Sequence, residues 1–561
     1  MMLQYRWLRL VGVAIASASL SVTPLVTNTL AAARDGARDG DDASRGSAPG
    51  MLGGKAPLGN KSAYKLKAEP EIGIVADSGF RPDKNGLPFP NYGTHADDQQ
   101  AADLSAVEMR KLFGDGVCIG GDGDNCNLTP QAEEWMTEQN KGLGGGHCYG
   151  FTVTSLLMWK KDHVTSDQFG ASDVPSLKLK DNVPLQRQLA YAATTQVLDQ
   201  ITEHRFAGTA NEILDKLITS LRADAPETYT LGFFKRDMTG GHAVTPYAVK
   251  YNGDGKYDVL IYDNNYPKEQ RVMKFNETNN SWSYDASINP SVEPELYEGD
   301  SSNKQQLDMD PVSLTLHKSP APFTEDGSSR QEDIETEVYL DGDLKRHAHL
   351  LITDDKGNRT GFAEKDGKLV NEIPGAKVNF PESGGVDTFD ESPEPRYTIP
   401  AGVNFKVAVD GTTLKENAKT DIGVSFGSRV FHLHGIEMEP GTVQTLDVSR
   451  DAERISYEAN DAQSPTVSLS NGQNGDYYDL VGKMQLKAPG AATFDIVSDG
   501  SKFALHQSGS EADYEFTIKH ETGKGKSEHA IPRILLAPGA TATLDLPSWA
   551  EGNGKPFEIG H

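Results

Sequence analysis

The residue of this sequence best suited to take part in a reaction is Cys148, which ends the glycine-rich stretch GLGGGHC at positions 142–148. A thiolate is a strong nucleophile, but a free thiol is mostly protonated at neutral pH. The start of a helix favours the anion, because its first N–H groups have no partner within the helix. The apolar run after Cys148 predicts such a helix, and the N–H of Cys148 itself would serve an oxyanion hole.

A base for that thiol is predicted at His242, in the segment TGGHAVTPYAVKYNGDGKYDVLIYDNNYP. His242 follows two glycines and opens an apolar strand, NGDG at 252–255 predicts a hairpin turn, and the next strand ends at Asp263. A hairpin of this length brings the two residues side by side. Asp263 would then hold one ring nitrogen of His242 and leave the other facing the thiol.

The elements that must position these residues fall into two groups. Helical spacing is present in ADLSAVEMRKLFG, in the run after Cys148, in PLQRQLAYAATTQVLDQITEHR and in NEILDKLITSLRA. Strand patterns follow in TYTLGFF, HAVTPYAVKY, KYDVLIYD and RVMKFNE. Helices followed by antiparallel strands predict an α+β domain, which we place at residues 100–325.

The three segments GGHCYGF, GGHAVTPYAV and VLIYDNNYP together resemble the papain-like cysteine peptidase superfamily, over roughly residues 115–285. The resemblance, to secreted bacterial members in particular, implies a papain-like fold and a thiolate–imidazolium pair that attacks a carbonyl and forms a thioester. It implies that Cys148 is the nucleophile, His242 the general base and acid, and Asp263 the orienting residue.

The chain departs from papain itself at two positions. Papain has a glutamine six residues before its cysteine that helps to bind the oxyanion, whereas this chain has Gly142 there; of the nearby Gln139 and Asn140 we favour Asn140. Papain's third catalytic residue is an asparagine, whereas this chain has Asp263 followed by two asparagines. Because transglutaminase-like enzymes also use aspartate, hydrolysis of a peptide, hydrolysis of another amide and acyl transfer all stay open.

Other candidate residues are assigned ordinary roles. His147, adjacent to Cys148, is interpreted as a loop residue, and the NSW motif at 280–282 as part of a polar hairpin. The pairs RHAH (His347, His349) and FHLHG (His432, His434) place two histidines on one strand face each. A metal ion would need further ligands that the sequence does not identify, so we expect ordinary strand histidines and no metal or other cofactor.

The region after about residue 330 has no long helical pattern. Short alternating runs are separated by Gly, Pro, Asp and Asn, and EPGTVQTLDVS at 439–449 is echoed by APGATATLDLPS at 537–548. This pattern predicts two all-β sandwich modules of immunoglobulin-like type, at residues 326–465 and 466–561. The full expectation is a papain-like α+β domain followed by these modules.

The N-terminal segment predicts export. Arg6 and Arg9 precede a short apolar run, and alanines at 31–33 offer a cleavage site, so residues 1–33 read as a signal peptide. Residues 34–99 are predicted to form a low-complexity linker or propeptide. In a secreted, extracellular protein we expect Cys118 and Cys126 to pair, because seven residues between them can close a small ring.

The composition restricts the partners. A formal net charge of −27 opposes nucleic-acid binding, and no segment after the signal predicts membrane insertion. Solvation explains the acidic surface, and structural calcium is the alternative. Two functions stay open: a secreted cysteine hydrolase acting on a protein or peptide, whose β modules bind substrate, cell wall or a partner, and a secreted binding or adhesion protein whose papain-like domain is inactive.

Overall fold

The structure is a computed structural model. It describes residues 70–96, 99–120, 126–236, 238, 240–286, 295–321, 334–342, 347–363, 368–380, 394–473, 476–487, 489–496, 502–522, 525–550 and 558–560. The predicted signal peptide and residues 34–69 of the predicted linker lie outside these ranges, as does the aspartate-rich loop between Cys118 and Cys126 at 121–125.

The first region combines helices with short and long strands. Its helices are α1 (Pro82–Asn85), α2 (Ala106–Phe113), α3 (Pro130–Leu143), α4 (Cys148–Lys160), α5 (Val183–Thr194), α6 (Asp199–Thr202) and α7 (Ala210–Ser220). Its strands are β1 (Gly73–Asp77), β2 (His95–Ala96), β3 (Gln99–Gln100), β4 (Cys118–Gly120), β5 (Asn127–Leu128), β6 (Phe206–Ala207), β7 (Leu231–Phe233), β8 (His242–Gly253), β9 (Lys256–Tyr262), β10 (Arg271–Asn276), β11 (Ser281–Ala286), β12 (Glu295–Gly299) and β13 (Leu307–Met309). The longer helices precede the long antiparallel strands β8–β12, as predicted, whereas the short strands β1–β6 lie before and among the helices.

An antiparallel sheet organises this region. Within the described ranges it has nine strands in the order β12-β11-β10-β9-β8-β7-β13-β6, with β1 also paired to β8. The apolar face of helix α7 packs against one face of the sheet and forms a hydrophobic cluster with it. Helices α4 and α5 form a second hydrophobic cluster, which includes Ala243 and Tyr247 of β8. The helix that carries Cys148 therefore contacts the strand that His242 opens.

A glycine sets the distance between α4 and α5. A Cβ atom at Gly150 would lie 2.1 Å from the carbonyl oxygen of Leu189, so only glycine permits this approach. Gly150 lies two residues after Cys148, and the close contact therefore fixes the depth at which the sulfur enters the core.

Part of the predicted linker belongs to this fold. β1 pairs with β8 in the register Gly73↔Tyr251 to Asp77↔Ala248, and Phe80 and Leu87 are fully buried. The boundary at residue 99 is therefore too late for the residues from 70 onward. The composition did not reveal this because one five-residue strand carries a weak pattern and its partner lies about 170 residues away.

The second region is almost entirely β. Its strands are β14 (Thr336–Gly342), β15 (His349–Asp354), β16 (Arg359–Ala363), β17 (Lys368–Asn371), β18 (Lys377–Asn379), β19 (Arg396–Ile399), β20 (Phe405–Asp410), β21 (Ala418–Phe426), β22 (Arg429–Met438), β23 (Val443–Val448), β24 (Arg454–Ala459), β25 (Thr466–Gln473), β26 (Asp476–Leu486), β27 (Gly490–Ile496), β28 (Lys502–Gly509), β29 (Ala512–Thr522), β30 (Gly525–Ala530), β31 (Ile534–Leu536), β32 (Thr541–Asp545) and β33 (Glu558–Gly560); the short helix α8 spans Leu546–Ala550.

These strands form two large antiparallel sheets, each of ten strands among the residues described. One sheet has the order β18-β19-β14-β21-β22-β25-β26-β29-β30 with β31 beside β29, and the other runs β17-β16-β15-β20-β23-β24-β27-β28-β32-β33. Buried side chains from both sheets form one hydrophobic cluster, an arrangement compatible with a sandwich-like β region.

The two predicted modules are not separated at residue 465. β22 pairs with β25 from Arg429↔Asn471 to His434↔Thr466, and β24 pairs with β27 from Arg454↔Asp495 to Ala459↔Gly490. Both sheets therefore continue across the predicted boundary. The sequence echo between 439–449 and 537–548 covers a similar turn and the strand that follows it, β23 in one copy and β32 in the other, so it reflects a shared turn-and-strand pattern. Across the part of the chain with described structure, no helix is both long and apolar enough to cross a membrane.

Candidate active site

Cys148 occupies the first position of α4. His147 occupies the N-cap position, and its N–H donates to the side-chain oxygen of Asn91 at 2.8 Å. Cys118 and Cys126 form the predicted disulfide, so Cys148 holds the chain's remaining sulfhydryl group. The sulfur therefore lies where the first N–H groups of a thirteen-residue helix emerge, as the glycine-rich stretch predicts.

His242 and Asp263 meet at the end of the β8–β9 hairpin. Asp254 and Gly255 take positive φ values of 52° and 69° in the turn, and Thr245 pairs with Tyr262 near the other end. The Nε2 atom of His242 lies 2.9 Å from Oδ1 of Asp263. The Cys148 sulfur lies close enough to the imidazole to interact with it electrostatically, so the structure brings all three predicted residues together.

The surroundings of His242 favour its charged form. Burial by itself disfavours a charged imidazole, but the Asp263 carboxylate and then the Cys148 sulfur outweigh it and raise the pKa of His242 to about 10. The ring of Phe233 meets the imidazole edge-on at 5.6 Å between centroids and closes one side of the site. Because its pKa is raised, the imidazole can accept the proton of the Cys148 thiol and keep it at neutral pH.

Asp263 is held as a carboxylate by more than its histidine partner. Tyr284 donates its hydroxyl to Oδ2 at 2.6 Å, and the N–H of Asn265 donates to Oδ1 at 2.9 Å. Burial raises the pKa of Asp263, but the charge of His242 and these hydrogen bonds together hold it below the usual value. His242, Tyr284 and Asn265 therefore orient the carboxylate, and Arg271 in turn donates to the Tyr284 hydroxyl at 3.4 Å.

Asn264 ties the elements of the site to one another, a role that the sequence did not predict. Its side-chain amide donates to the carbonyl oxygen of Ala243 at 2.8 Å and to that of Cys148 at 3.1 Å. The start of α4 is therefore bound to β8 beside His242. The only sequence signal was the position of Asn264 directly after Asp263, which is why its role could be read only from the structure.

Asn140 does not join this group. Its side-chain oxygen accepts from the N–H of Leu104 at 2.9 Å, and its amide nitrogen donates to the carbonyl of Leu104 at 3.1 Å. Both polar atoms are committed to the segment before α2, which corrects the prediction that Asn140 helps to bind an oxyanion. The N–H groups at the start of α4 are the donors that the structure offers instead.

His147 and Asn280, which the sequence analysis interprets as a loop residue and as part of a polar hairpin, have structural roles. His147 is buried, with Nδ1 2.9 Å from the carbonyl oxygen of Tyr92 and Nε2 3.0 Å from a carboxylate oxygen of Asp103. Asn280 of the NSW motif lies in the β10–β11 turn, where its side-chain oxygen accepts from the N–H of Asn211. None of these three hydrogen bonds involves His242 or Asp263.

The candidate site is closed to solvent. The side chains of Cys148, His242 and Asp263 are 0% exposed. A substrate therefore reaches the sulfur only after the atoms that cover it move.

Two further clusters bring histidines to a carboxylate. His347 and His349 meet Glu394, and His432 and His434 meet Glu134 of α3. The sequence analysis treated both histidine pairs as ordinary strand residues. It could not identify the two glutamates as their neighbours, because each glutamate lies far from its histidines along the chain.

Comparison with known proteins identifies no relative: no protein-family model, curated protein or solved structure matches the chain. The function therefore has to be argued from the contacts among Cys148, His242 and Asp263.

Proposed function

We propose that the chain is a secreted papain-like cysteine hydrolase that cleaves peptide or other amide bonds. The observation that carries this proposal is the position of the His242 imidazole, which lies between the Asp263 carboxylate and the Cys148 sulfur at the start of a helix. That order of groups is the one a thiol nucleophile requires: a base beside it and an acceptor that orients the base.

The proposed reaction begins with transfer of the Cys148 proton to His242. The sulfur then attacks the carbonyl carbon, and the N–H groups at the start of α4 hold the resulting oxyanion. His242 returns its proton to the departing amine, the C–N bond breaks and a thioester remains. Water, deprotonated by His242, then attacks the thioester, the C–S bond breaks, and a carboxylic acid and the Cys148 thiol are released.

The β region would supply binding rather than chemistry. It is joined to the α+β region through α3, where Gln131 donates to the carbonyl oxygen of Ser428 at 2.9 Å. We propose that its surface binds substrate, cell wall or another protein outside the cell, and that the acidic charge excludes nucleic acid.

One observation favours the second candidate, a binding or adhesion protein whose papain-like domain is inactive. The complete burial of Cys148 and His242 is what an inert core pair would show. Acyl transfer of the transglutaminase type is a variant of the first candidate, since an amine in place of water would attack the same thioester.

A peptide library separates these functions. The full chain is incubated with the library, with Cys148→Ala as the matched control, and new peptide termini are identified. Termini made by the parent protein alone support the hydrolase, and amine-linked products indicate acyl transfer. Identical products from the two proteins, or none from either, would favour the binding protein.

A further inference from the structure

A cluster of two histidines and one glutamate joins the two regions of the chain. Glu134 projects from α3, and His432 and His434 project from β22, 298 and 300 positions along the sequence. One ligand atom from each of the three residues lies within 4.8 Å of the other two. We call Glu134, His432 and His434 the interface histidine cluster.

The two imidazoles present one nitrogen each to the same carboxylate. Nδ1 of His432 contacts Oε1 of Glu134, and Nε2 of His434 lies 3.9 Å from the same oxygen. Two imidazole nitrogens and a carboxylate are a donor set that Zn²⁺ and neighbouring transition-metal ions prefer. An ordinary ion pair would need only one of the two histidines.

The other nitrogen of each ring has a hydrogen-bond partner. Nδ1 of His434 lies 3.3 Å from Oδ2 of Asp421, and Nε2 of His432 lies 2.5 Å from the hydroxyl of Tyr339. Metal-binding histidines characteristically use the second ring nitrogen in this way, because the partner fixes the tautomer and the ring orientation. This observation is independent of the proximity of the three ligands.

The strand backbone is shaped to permit these contacts. At the bulge in β22, His434 and Gly435 together oppose Asp421 of β21, with Gly435 in a positive-φ conformation at 74°. Bulges of this kind re-aim a side chain. At the facing position, a Cβ on Gly423 would lie 2.4 Å from Nε2 of His432, so glycine makes room for the Tyr339 partner.

The surroundings of the cluster are mostly acidic and partly exposed; Lys141, whose Nζ lies 3.3 Å from Oδ2 of Asp421, is a basic neighbour. Asp479 is buried within electrostatic reach of Glu134, and its burial and that charge raise its pKa to about 6. The side chain of His434 is 30% exposed and that of Glu134 14%, whereas His432 is 1% exposed. A small hydrated ion can therefore enter from the His434 side and keep water as its remaining ligand.

We propose that the interface histidine cluster binds one divalent transition-metal ion of the zinc class, through Nδ1 of His432, Nε2 of His434 and the carboxylate of Glu134. The ion fastens α3 of the α+β region to β22 of the β region. This proposal is independent of the proposed hydrolase activity.

The second cluster supplies the matched control. Oε1 of its carboxylate, Glu394, accepts from the N–H of Leu350 and from the hydroxyl of Tyr397, both at 2.8 Å. The His347 nitrogen that faces Oε2 is Nδ1, which also lies 2.8 Å from the carbonyl oxygen of Ala348. Since this nitrogen is engaged with the backbone, we expect His347 and His349 to bind no ion with comparable affinity.

The test is a zinc titration of the full chain carrying Cys148→Ala, which removes the free thiol as a competing ligand. The metal-free protein competes with a chromophoric chelator for Zn²⁺, and Co²⁺ reports the ligand set by its visible absorption. We expect one tight site. Asp421→Asn should weaken it by about 10-fold to 100-fold, His434→Ala by more than that, and the control His349→Ala should leave it unchanged.

Unfolding midpoints without metal show whether each variant is folded. If His434→Ala does not fold, Asp421→Asn carries the test, because it keeps the three ligands. It also removes the negative charge beside Lys141 and the Gly435 N–H, so its unfolding midpoint without metal is compared with that of the parent. Zinc affinity that is equal in the parent, His434→Ala and Asp421→Asn proteins would overturn the proposal. So would the absence of a tight site, or a loss of that site in His349→Ala.

Discussion

The chain holds histidines in two contrasting settings. His242 is wholly buried, and its ring lies between one carboxylate and one sulfur. His434 is partly exposed, and its ring and that of His432 converge on one carboxylate while acceptors engage their other nitrogens. The first arrangement has a donor and an acceptor for a single proton. The second has several lone pairs directed at one point, which is the requirement for holding a cation.

The comparison separates what each region contributes. The β8–β9 hairpin brings His242 and Asp263 together over 21 residues, so the proposed chemistry belongs to the α+β region alone. The interface histidine cluster needs a helix from one region and a strand from the other, so its proposed ion would act on the stability of their junction.

The largest expected effect separates the two settings directly. His242→Ala should lower cleavage by at least about 1,000-fold, because nucleophile and base act as a unit. Its zinc affinity should change less than about two-fold, since the cluster is built from other residues. Cleavage is assayed on the parent and His242→Ala proteins, and zinc is titrated on the same two proteins carrying Cys148→Ala in addition. If His242→Ala lost both cleavage and zinc binding, the two sites would not be independent of each other.

The role of Asp263 is tested by a pair of substitutions. Asp263→Ala removes the acceptor for the imidazole and should lower kcat/KM by about 100-fold or more. Asp263→Asn keeps an acceptor oxygen but removes the charge that raises the pKa of His242, and should cost about ten-fold. The pH profile is the decisive readout.

In the parent protein, cleavage should fall as pH rises through about 10, where His242 loses its proton. In Asp263→Asn that fall should begin at lower pH. A basic limb at the same pH in both proteins would contradict the assigned role of the carboxylate.

The packing of α4 against α5 should be the next most sensitive feature. Gly150→Ala drives a Cβ to within 2.1 Å of the Leu189 carbonyl and should destabilise the fold by about 2 kcal/mol. Gly142→Ala, in the same glycine-rich stretch, meets nothing within 4 Å and should be neutral to within about 0.5 kcal/mol. Urea unfolding measures both. Equal midpoints for the two variants would mean that α4 is not held by this contact.

The smallest expected effect concerns the outer partner of the carboxylate. Tyr284→Phe removes the hydroxyl that donates to Asp263 and should cost about 1 kcal/mol and a few-fold in kcat/KM. Tyr257→Phe is the matched control, because its hydroxyl reaches Glu277 at 3.4 Å on the same sheet. If the two variants had the same kcat/KM, Tyr284 would not help to position Asp263.

The sequence predicted those parts of the molecule that depend on short stretches. The helix after Cys148, the NGDG hairpin and the Cys118–Cys126 disulfide are all confirmed, because each rests on local turn, cap or ring-closure chemistry. The meeting of His242 with Asp263 follows from that hairpin alone. Its meeting with Cys148 needed the order of helices and strands as well.

The sequence did not reveal what depends on distant partners. Asn140 appeared suitable for the oxyanion, but the packing of α3 turns its amide toward Leu104. Glu134 could not be matched to His432, because 298 residues separate them. The predicted boundary at residue 465 is wrong because β22 pairs with β25 across it, and the pairing of two strands cannot be predicted from composition.

The most direct test of the central claim is the pH profile of iodoacetamide alkylation of Cys148, compared between the parent protein and His242→Ala. With His242 holding the proton, the parent protein should react nearly as fast at pH 6 as at pH 8. In His242→Ala the rate should rise about 100-fold over that interval, as it does for an ordinary thiol. The shape of the profile, rather than the absolute rate, decides the question, because burial slows both proteins. Profiles of the same shape in the two proteins would contradict the account.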